Sequence, residues 1–327
     1  MINPFYSSPQ KGIGKKNCLS RGYDRKKKHV EKKNIPAAKG DKKCVLLHPE
    51  CNILVMEKYE SIKNWIVEKS IRGHYIFTKQ DLCSAFPNMS HIAQKRAMSR
   101  LMAKKIIISP WHNFYVIVPT EYKLKSNVPP QFYLDQLMEF LDCPYYLALL
   151  NAAEMYGAAH QRPQNYAVFV SRKNLRSGIR AGAEILLYQR KRLPLDFIRK
   201  FQTQTGYVNV ASPELTALDL VYAEQDVGGL SRVATVLAEL VEDIHFSTVR
   251  QDLIRFFSVS VVQRLGYLLD VVLEEREKAD DLYALAEQEG LHFRKVTLKS
   301  SKATREEDEI NCRWKIIVNQ EIEVDEL

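Results

Sequence analysis

The 327-residue sequence has no Cys-x-x-Cys pair, no long apolar run, no Gly-x-Ser-x-Gly elbow and no internal repeat. Each absence removes a class of protein. Its six cysteines (Cys18, Cys44, Cys51, Cys83, Cys143 and Cys312) are scattered. Cys44, His48 and Cys51 cluster loosely, but no second ligand pair follows at zinc-finger spacing. Reduced thiols without a structural metal are therefore expected, as in a cytoplasmic protein. No stretch approaches the roughly 18 apolar residues of a membrane span. The first 30 residues also lack the apolar centre of a signal peptide. Acid is scarce at the front of the chain and base at the back. Residues 1–55 carry a net +9, 56–119 a net +6, 120–200 a net +5 and 201–327 a net −11. A basic front joined to an acidic rear favours a polyanion-binding front end.

Residues 1–55 show no apolar periodicity and read as a disordered basic tail. Arg25-Lys26-Lys27-Lys28 within it suits either phosphate or plain solvation. Met56 opens the first periodic segment, so the tail also reads as an upstream extension of the frame.

In residues 56–119 the pattern changes. Tyr59, Ile62, Trp65, Ile66 and Lys69 recur at helical spacing, which predicts a helix over 57–71. Arg72-Gly73-His74 ends it, and Tyr75-Ile76-Phe77 is a short apolar stretch. Thr78, with Asp81 three residues on, predicts a capped second helix that turns Leu82, Ala85 and Phe86 inward. Pro87-Asn88 makes a turn. Ser90 caps a third helix running to about Lys104.

That third helix is expected to bury Ile92, Ala93, Ala97 and Leu101. Its outward face is then Ser90, His91, Gln94, Lys95, Ser99 and Arg100. It carries Lys95, Arg96, Arg100, Lys104 and Lys105 and no acid. Residues 106–108 and 114–118 read as strands around a turn at 109–113. Three helices, the middle one short, followed directly by a hairpin predict a winged helix-turn-helix. Ser90–Lys104 would enter the major groove of duplex DNA. Gln94 can pair with adenine and Arg100 with guanine. The helix N-terminus offers N–H donors to phosphate, and His112 and Asn113 would form the wing tip. The alternative is a three-helix bundle with a solvated basic face.

Residues 120–131, with Lys123, Lys125, Ser126, Asn127 and Pro129-Pro130, read as a linker. Beyond it, 132–142 and 144–156 read as helices, and 166–170, 184–189 and 206–211 as strands. Ser212-Pro213 is a strong helix start. Helices are expected over 215–222, 230–241, 249–257 and 259–273. Edge strands are expected within 292–299 and 312–318, around the charged loop 300–309.

Glu214, Thr216 and Asp219 share a face of the helix after Ser212. Asp219 is expected to anchor a buried polar network or to meet a base such as Arg264. His160 reads as a packing histidine, and Gly228-Gly229 as a tight turn before a helix. A metal-dependent nuclease would need clustered carboxylates with a lysine on a neighbouring strand. A nucleotidyltransferase would need a Gly-Ser turn and paired acids on one strand. Neither pattern occurs, so no enzyme, cofactor or metal is expected.

Four stretches carry a family likeness: Tyr146 to Pro163 (YLALLNAAEMYGAAHQRP), Thr205 to Leu220 (TGYVNVASPELTALDL), Gly228-Gly229-Leu230, and Gln263 to Leu269 (QRLGYLL). In this order they resemble the AbiEi family of antitoxins, the DNA-binding halves of bacterial type IV toxin–antitoxin and abortive-infection systems. The likeness covers roughly residues 56–270. It implies an α+β protein, a winged helix-turn-helix over 56–119 followed by a mixed α/β antitoxin domain over 132–327. It further implies binding to inverted repeats in the operon's own promoter, repression of that promoter, and neutralisation of a nucleotidyltransferase-like toxin, often without a stable complex.

The family's positive surface would continue onto the second domain, where residues 162–200 are rich in base. Arg172, Lys173, Arg176 and Arg180, in an expected strand-to-strand loop, would contact phosphate. The rival readings keep the winged helix but make the C-terminal domain a nuclease or a protein-interaction module built on the acidic 201–327 region.

Overall fold

Ser61 opens the first helix by accepting a hydrogen bond from the Asn64 N–H at 3.2 Å. The computed structural model describes residues 61–123, 128–158, 163–172 and 174–324. The basic tail, Tyr59, Lys125–Asn127, His160, Arg162 and Lys173 fall outside them. Helix α1 (Ile62–Ile71) leads through strand β1 (Ile76–Thr78) into α2 (Lys79–Ala85). The Thr78–Asp81 capping box expected at the start of α2 is present. Helix α3 (His91–Ala103) is capped by Ser90, whose Oγ accepts from the Ala93 N–H. Strands β2 (Ile107–Trp111) and β3 (Phe114–Ile117) follow, and β1, β3 and β2 form an antiparallel sheet in that order.

The turn between β2 and β3 is shorter than the sequence suggested. Ser109 and Pro110 belong to β2, and only His112 and Asn113 cross over, Asn113 with φ 62°. The Ser109 hydroxyl donates to the Trp111 carbonyl and contacts that of Phe114, where the register shifts between Ile108 and Trp111. A side chain thus carries the pairing through a segment that looks like a loop.

The run Phe114–Val118 is apolar without a break, so its alternating side chains make both faces of the sheet greasy. Ile117 joins Ile62, Trp65, Ile66, Phe77, Leu82, Phe86, Met98 and Leu101 on one side, with Tyr115 packed against them. Trp65 meets Phe77 and Phe86 edge-on at 5.1 and 5.9 Å. On the other side Phe114, Val116 and Val118 pack with Val128, Phe132, Tyr133 and Leu137. The described ends of the expected linker are therefore part of a core. The described residues fall within one unit.

The second half begins with α4 (Leu134–Phe140), β4 (Tyr145–Leu147), α5 (Leu149–Met155), β5 (Asn165–Val170), β6 (Gly178–Arg180) and β7 (Ala183–Gln189). It continues with β8 (Ile198–Thr203), β9 (Gly206–Ala211), α6 (Pro213–Tyr222), α7 (Leu230–Leu240), α8 (Val259–Tyr267) and α9 (Arg276–Gln288). The six strands form one mixed sheet in the order β6-β7-β5-β4-β9-β8. Strand β4 lies antiparallel to β5 and parallel to β9. It sits inside the stretch expected to be a single helix over 144–156. Tyr145-Tyr146-Leu147 is buried throughout, and such a short run shows no period that separates strand from helix. Strands β6 and β8 and helix α9 were not anticipated. The segment expected as a helix over 249–257 consists of tight 3-10 turns, chiefly Gln251–Phe256. Helix α6 is the axis of the core, with Pro213 through Val221 all buried.

The C-terminal strands β10 (Val296–Thr297), β11 (Ile310–Asn311) and β12 (Ile316–Ile317) form a small sheet against α8. Gln263 donates to the carbonyls of Arg294 and Trp314 at 2.7 and 2.6 Å. Arg264 donates twice to the Thr297 carbonyl. Asp270 accepts from the Trp314 indole and from Arg313. No helix among the described residues is long and apolar enough to cross a membrane.

Candidate nucleic-acid interface

Helix α3 buries Gln94, Met98 and Leu101. It exposes His91, Ile92, Ala93, Lys95, Arg96, Ser99, Arg100 and Lys104. Its face is thus rotated from the expected one, and two residues exchange places. Gln94, expected to face a base, is 4% exposed, whereas Ile92, expected in the core, is 67% exposed, and Ala93, expected there too, is also on the surface. The cause is local. Helix α2 is short, and the turn that follows it turns backbone carbonyls towards α3. The Gln94 amide donates to two of them, Phe86 O at 3.2 Å and Met89 O at 3.3 Å. Its carbonyl oxygen accepts from the Cys83 thiol. Gln94 therefore fastens the turn between α2 and α3 and has no group left for a ligand. Lys95, Arg96, Arg100 and Lys104 remain on the surface, and α3 carries no acid.

The hairpin tip is anchored on both flanks. His112 is exposed, but the Asn113 carbonyl accepts from the Lys79 N–H at 2.9 Å. On the other flank the Arg180 guanidinium lies 3.9 Å from the centre of the Trp111 ring. Arg180 also donates to the Arg176 carbonyl at 2.9 Å. Burial against these neighbours pulls its pKa below the usual arginine range. The β6 strand and the loop before it thus adjoin the hairpin. Arg176 is exposed, and Arg172 is exposed with one nitrogen on the Leu141 carbonyl.

One base of the 162–200 stretch is not on the surface. Arg190 follows β7 and turns inward to Asp219, with its Nη2 2.9 Å from Oδ1. Its Nη1 donates to the Tyr146 hydroxyl, and that hydroxyl donates to Asp219 Oδ2, both at 3.0 Å. The guanidinium packs on the rings of Phe169, Phe257 and Tyr222 at 4.5, 4.7 and 5.1 Å. Asp219 is fully buried, and desolvation raises its pKa to about 6 even though Arg190 and Tyr146 pull it down. Asp219 does anchor a buried network, but its partner is Arg190, not Arg264. No spacing rule reveals that pairing, because 29 residues separate the two.

Glu214 is occupied elsewhere, accepting from the His245 N–H at 3.0 Å. Among the described residues, no group of three or more His, Cys, Asp or Glu is placed to hold a metal ion.

In fold the chain is similar to the crystal structure of the RV2827C protein from Mycobacterium tuberculosis. The TM-score is 0.58 at 13% identity, over 78% of this chain and 89% of that one. At that identity the likeness concerns architecture alone, a mixed α+β chain. A partial likeness to an antigenic nucleotidyltransferase-like protein from Paracoccidioides brasiliensis has a TM-score of 0.34 at 11% identity. It spans 47% of this chain and 90% of that one, and nothing further rests on it. No curated protein matches the sequence.

The class narrows with the family models. Residues 146–271, from within β4 to just past α8, match the AbiEi antitoxin C-terminal domain. Over this stretch, somewhat more than a third of its length, the chain is similar to the AbiEi antitoxin family. The Asp219–Arg190–Tyr146 network and the Gln263–Leu269 platform both lie inside the match.

Proposed function

We propose that this chain is a DNA-binding antitoxin that acts without catalysis. In this reading residues 61–119 are a winged helix-turn-helix, with α3 as the recognition helix and β2–β3 as the wing. The AbiEi domain counteracts a partner toxin, which the family resemblance makes nucleotidyltransferase-like and which need not be held in a stable complex. Occupation of inverted repeats in its own promoter would repress the operon from within the cytoplasm.

The observation that carries the DNA reading is the outward face of α3, with Lys95, Arg96, Arg100 and Lys104 exposed and no acid among them. Such a face suits duplex phosphate, and Arg100 has the fork geometry for guanine. Ser90, His91, Ser99, His112 and Asn113 complete the surface offered by helix and wing. The neighbouring Arg172 and Arg176, with Lys173 between them in sequence, would extend phosphate contact past the hairpin. Arg180 would act indirectly, by holding Trp111 and hence the wing.

The direct test is a gel-shift titration of the DNA upstream of the chain's own reading frame. Arg100→Ala with Lys95→Ala should abolish binding and promoter repression. Unchanged affinity in that double variant would overturn the assignment of α3. Co-expression with the product of the adjacent gene tests the antitoxin half. Growth arrest that this chain fails to relieve would overturn it.

A further inference from the structure

The exchange of Gln94 and Ile92 on α3 leaves a large aliphatic side chain at the middle of a basic surface. Nine residues separate Ile92 from buried Leu101, about two and a half helical turns, so they point in opposite directions. Ser99 lies two turns beyond Ile92 on the same line. Lys95 and Arg96 fall on either side of that line, within a shallow groove that Ser90, Ala93 and Arg100 also border. Ile92 also sits in the first turn of α3, the part of a recognition helix that comes closest to base edges.

We infer that Ile92 is a specificity-determining residue that reads thymine in duplex DNA, by packing its side chain on the thymine C5-methyl in the major groove. The inference rests on the DNA-binding reading above. The chemistry is selective. In the major groove only thymine presents an apolar group, and the other bases there offer hydrogen-bonding atoms that an aliphatic side chain cannot satisfy. The flanking bases bring the polyanion to this face and fix the register, but phosphate contact carries no sequence information. With Gln94 turned inward, adenine readout by its amide is lost, and the apolar contact replaces it at the centre of the face.

The test uses the full chain and its own upstream DNA, amplified once with dTTP and once with dUTP. Uracil keeps every hydrogen-bonding atom of thymine and lacks only the methyl. The wild type should bind the uracil DNA more weakly, by about fourfold for each methyl that Ile92 buries. Ile92→Ala should bind thymine DNA more weakly and no longer distinguish the two DNAs. Ile92 is exposed and alanine is a better helix former, so this variant should fold. Lys95→Ala should weaken both DNAs equally and keep the thymine preference.

Equal wild-type affinity for the two DNAs, with binding otherwise intact, would overturn the inference and leave the DNA reading standing. So would a thymine preference that survives in Ile92→Ala. Failure to bind either DNA at low salt would overturn the DNA reading itself.

Discussion

The indole of Trp314 fills the space that a side chain on Gly266 would need. A Cβ at Gly266 would stand 2.1 Å from the Trp314 ring, closer than any real contact. Gly266 belongs to the AbiEi match and Trp314 lies outside it. The Gln-Arg-Leu-Gly stretch inside that match is thus the seat on which the C-terminal strands dock. Gly266→Ala should destabilise the chain by about 1–3 kcal/mol, the usual cost of overpacking a tight core. Trp314→Ala should cost about 3–5 kcal/mol through the cavity it leaves. Because the two residues touch, the double variant should lose less than the sum, which a urea-denaturation cycle will read directly. Strict additivity would refute the contact.

Asp219 and Arg190 form a buried pair whose halves depend on each other. Arg190→Met leaves the carboxylate in the core with the Tyr146 hydroxyl but without its counter-charge and should cost about 3–5 kcal/mol, the range for breaking a buried ion pair. Chemical denaturation measures it. A loss below about 1 kcal/mol would mean that the carboxylate finds water.

The same carboxylate predicts a pH dependence. Burial raises its folded pKa from 3.8 to about 6. Folding therefore favours the protonated form. The associated stability is full below about pH 4 and is lost as pH rises through about 6. Denaturation at about pH 4.5 and about pH 7.5 should show the wild type gaining on Asp219→Asn at the lower value, by at most about 1.4 kcal/mol per pH unit. Parallel profiles for the two proteins would contradict the raised pKa.

Gln94 and Lys95 are neighbours with opposite duties. Gln94→Ala removes the amide that fastens the Phe86 and Met89 carbonyls beneath α3 and should cost about 1–3 kcal/mol. Lys95→Ala should change stability by less than about 0.5 kcal/mol. If α3 binds DNA as proposed, this substitution should instead lower the slope of log affinity against log salt by about 0.9, the contribution of one phosphate. Thermal melts and salt titrations separate the two effects.

Trp111 and Arg180 tie the hairpin to β6. Trp111→Ala should raise amide hydrogen exchange at His112 and Asn113 while leaving α3 protected. Removing a partly desolvated cation–π contact of this kind costs about 0.5–2 kcal/mol. Unchanged exchange at the tip would show that the Lys79–Asn113 hydrogen bond suffices alone.

Local signals were legible in the sequence where a short-range rule governs them. Thr78 with Asp81, Ser90, and Ser212 with Pro213 mark helix starts, and all three cap as read. The strands β5, β7 and β9 stand out as short runs of β-branched, aliphatic and aromatic residues. Hidden were the features decided by distant partners. Strand β4 is too short to show a period, and its place is fixed by β5 and β9. The outward turn of Ile92 depends on Gln94 finding carbonyls in the preceding loop, so hydrophobicity alone assigns both residues wrongly. Arg190 reads as one more surface base until Asp219 is brought beside it by the sheet.

Strand β3 is greasy on both sides, one side facing the helices before it and the other Phe132, Tyr133 and Leu137. A cut at Pro119 would strip Phe114, Val116 and Val118 of their cover and leave a fragment prone to clump. The two halves are welded rather than tethered. Whatever each does, they melt together, and only point substitutions, not scissors, can silence one while sparing the other.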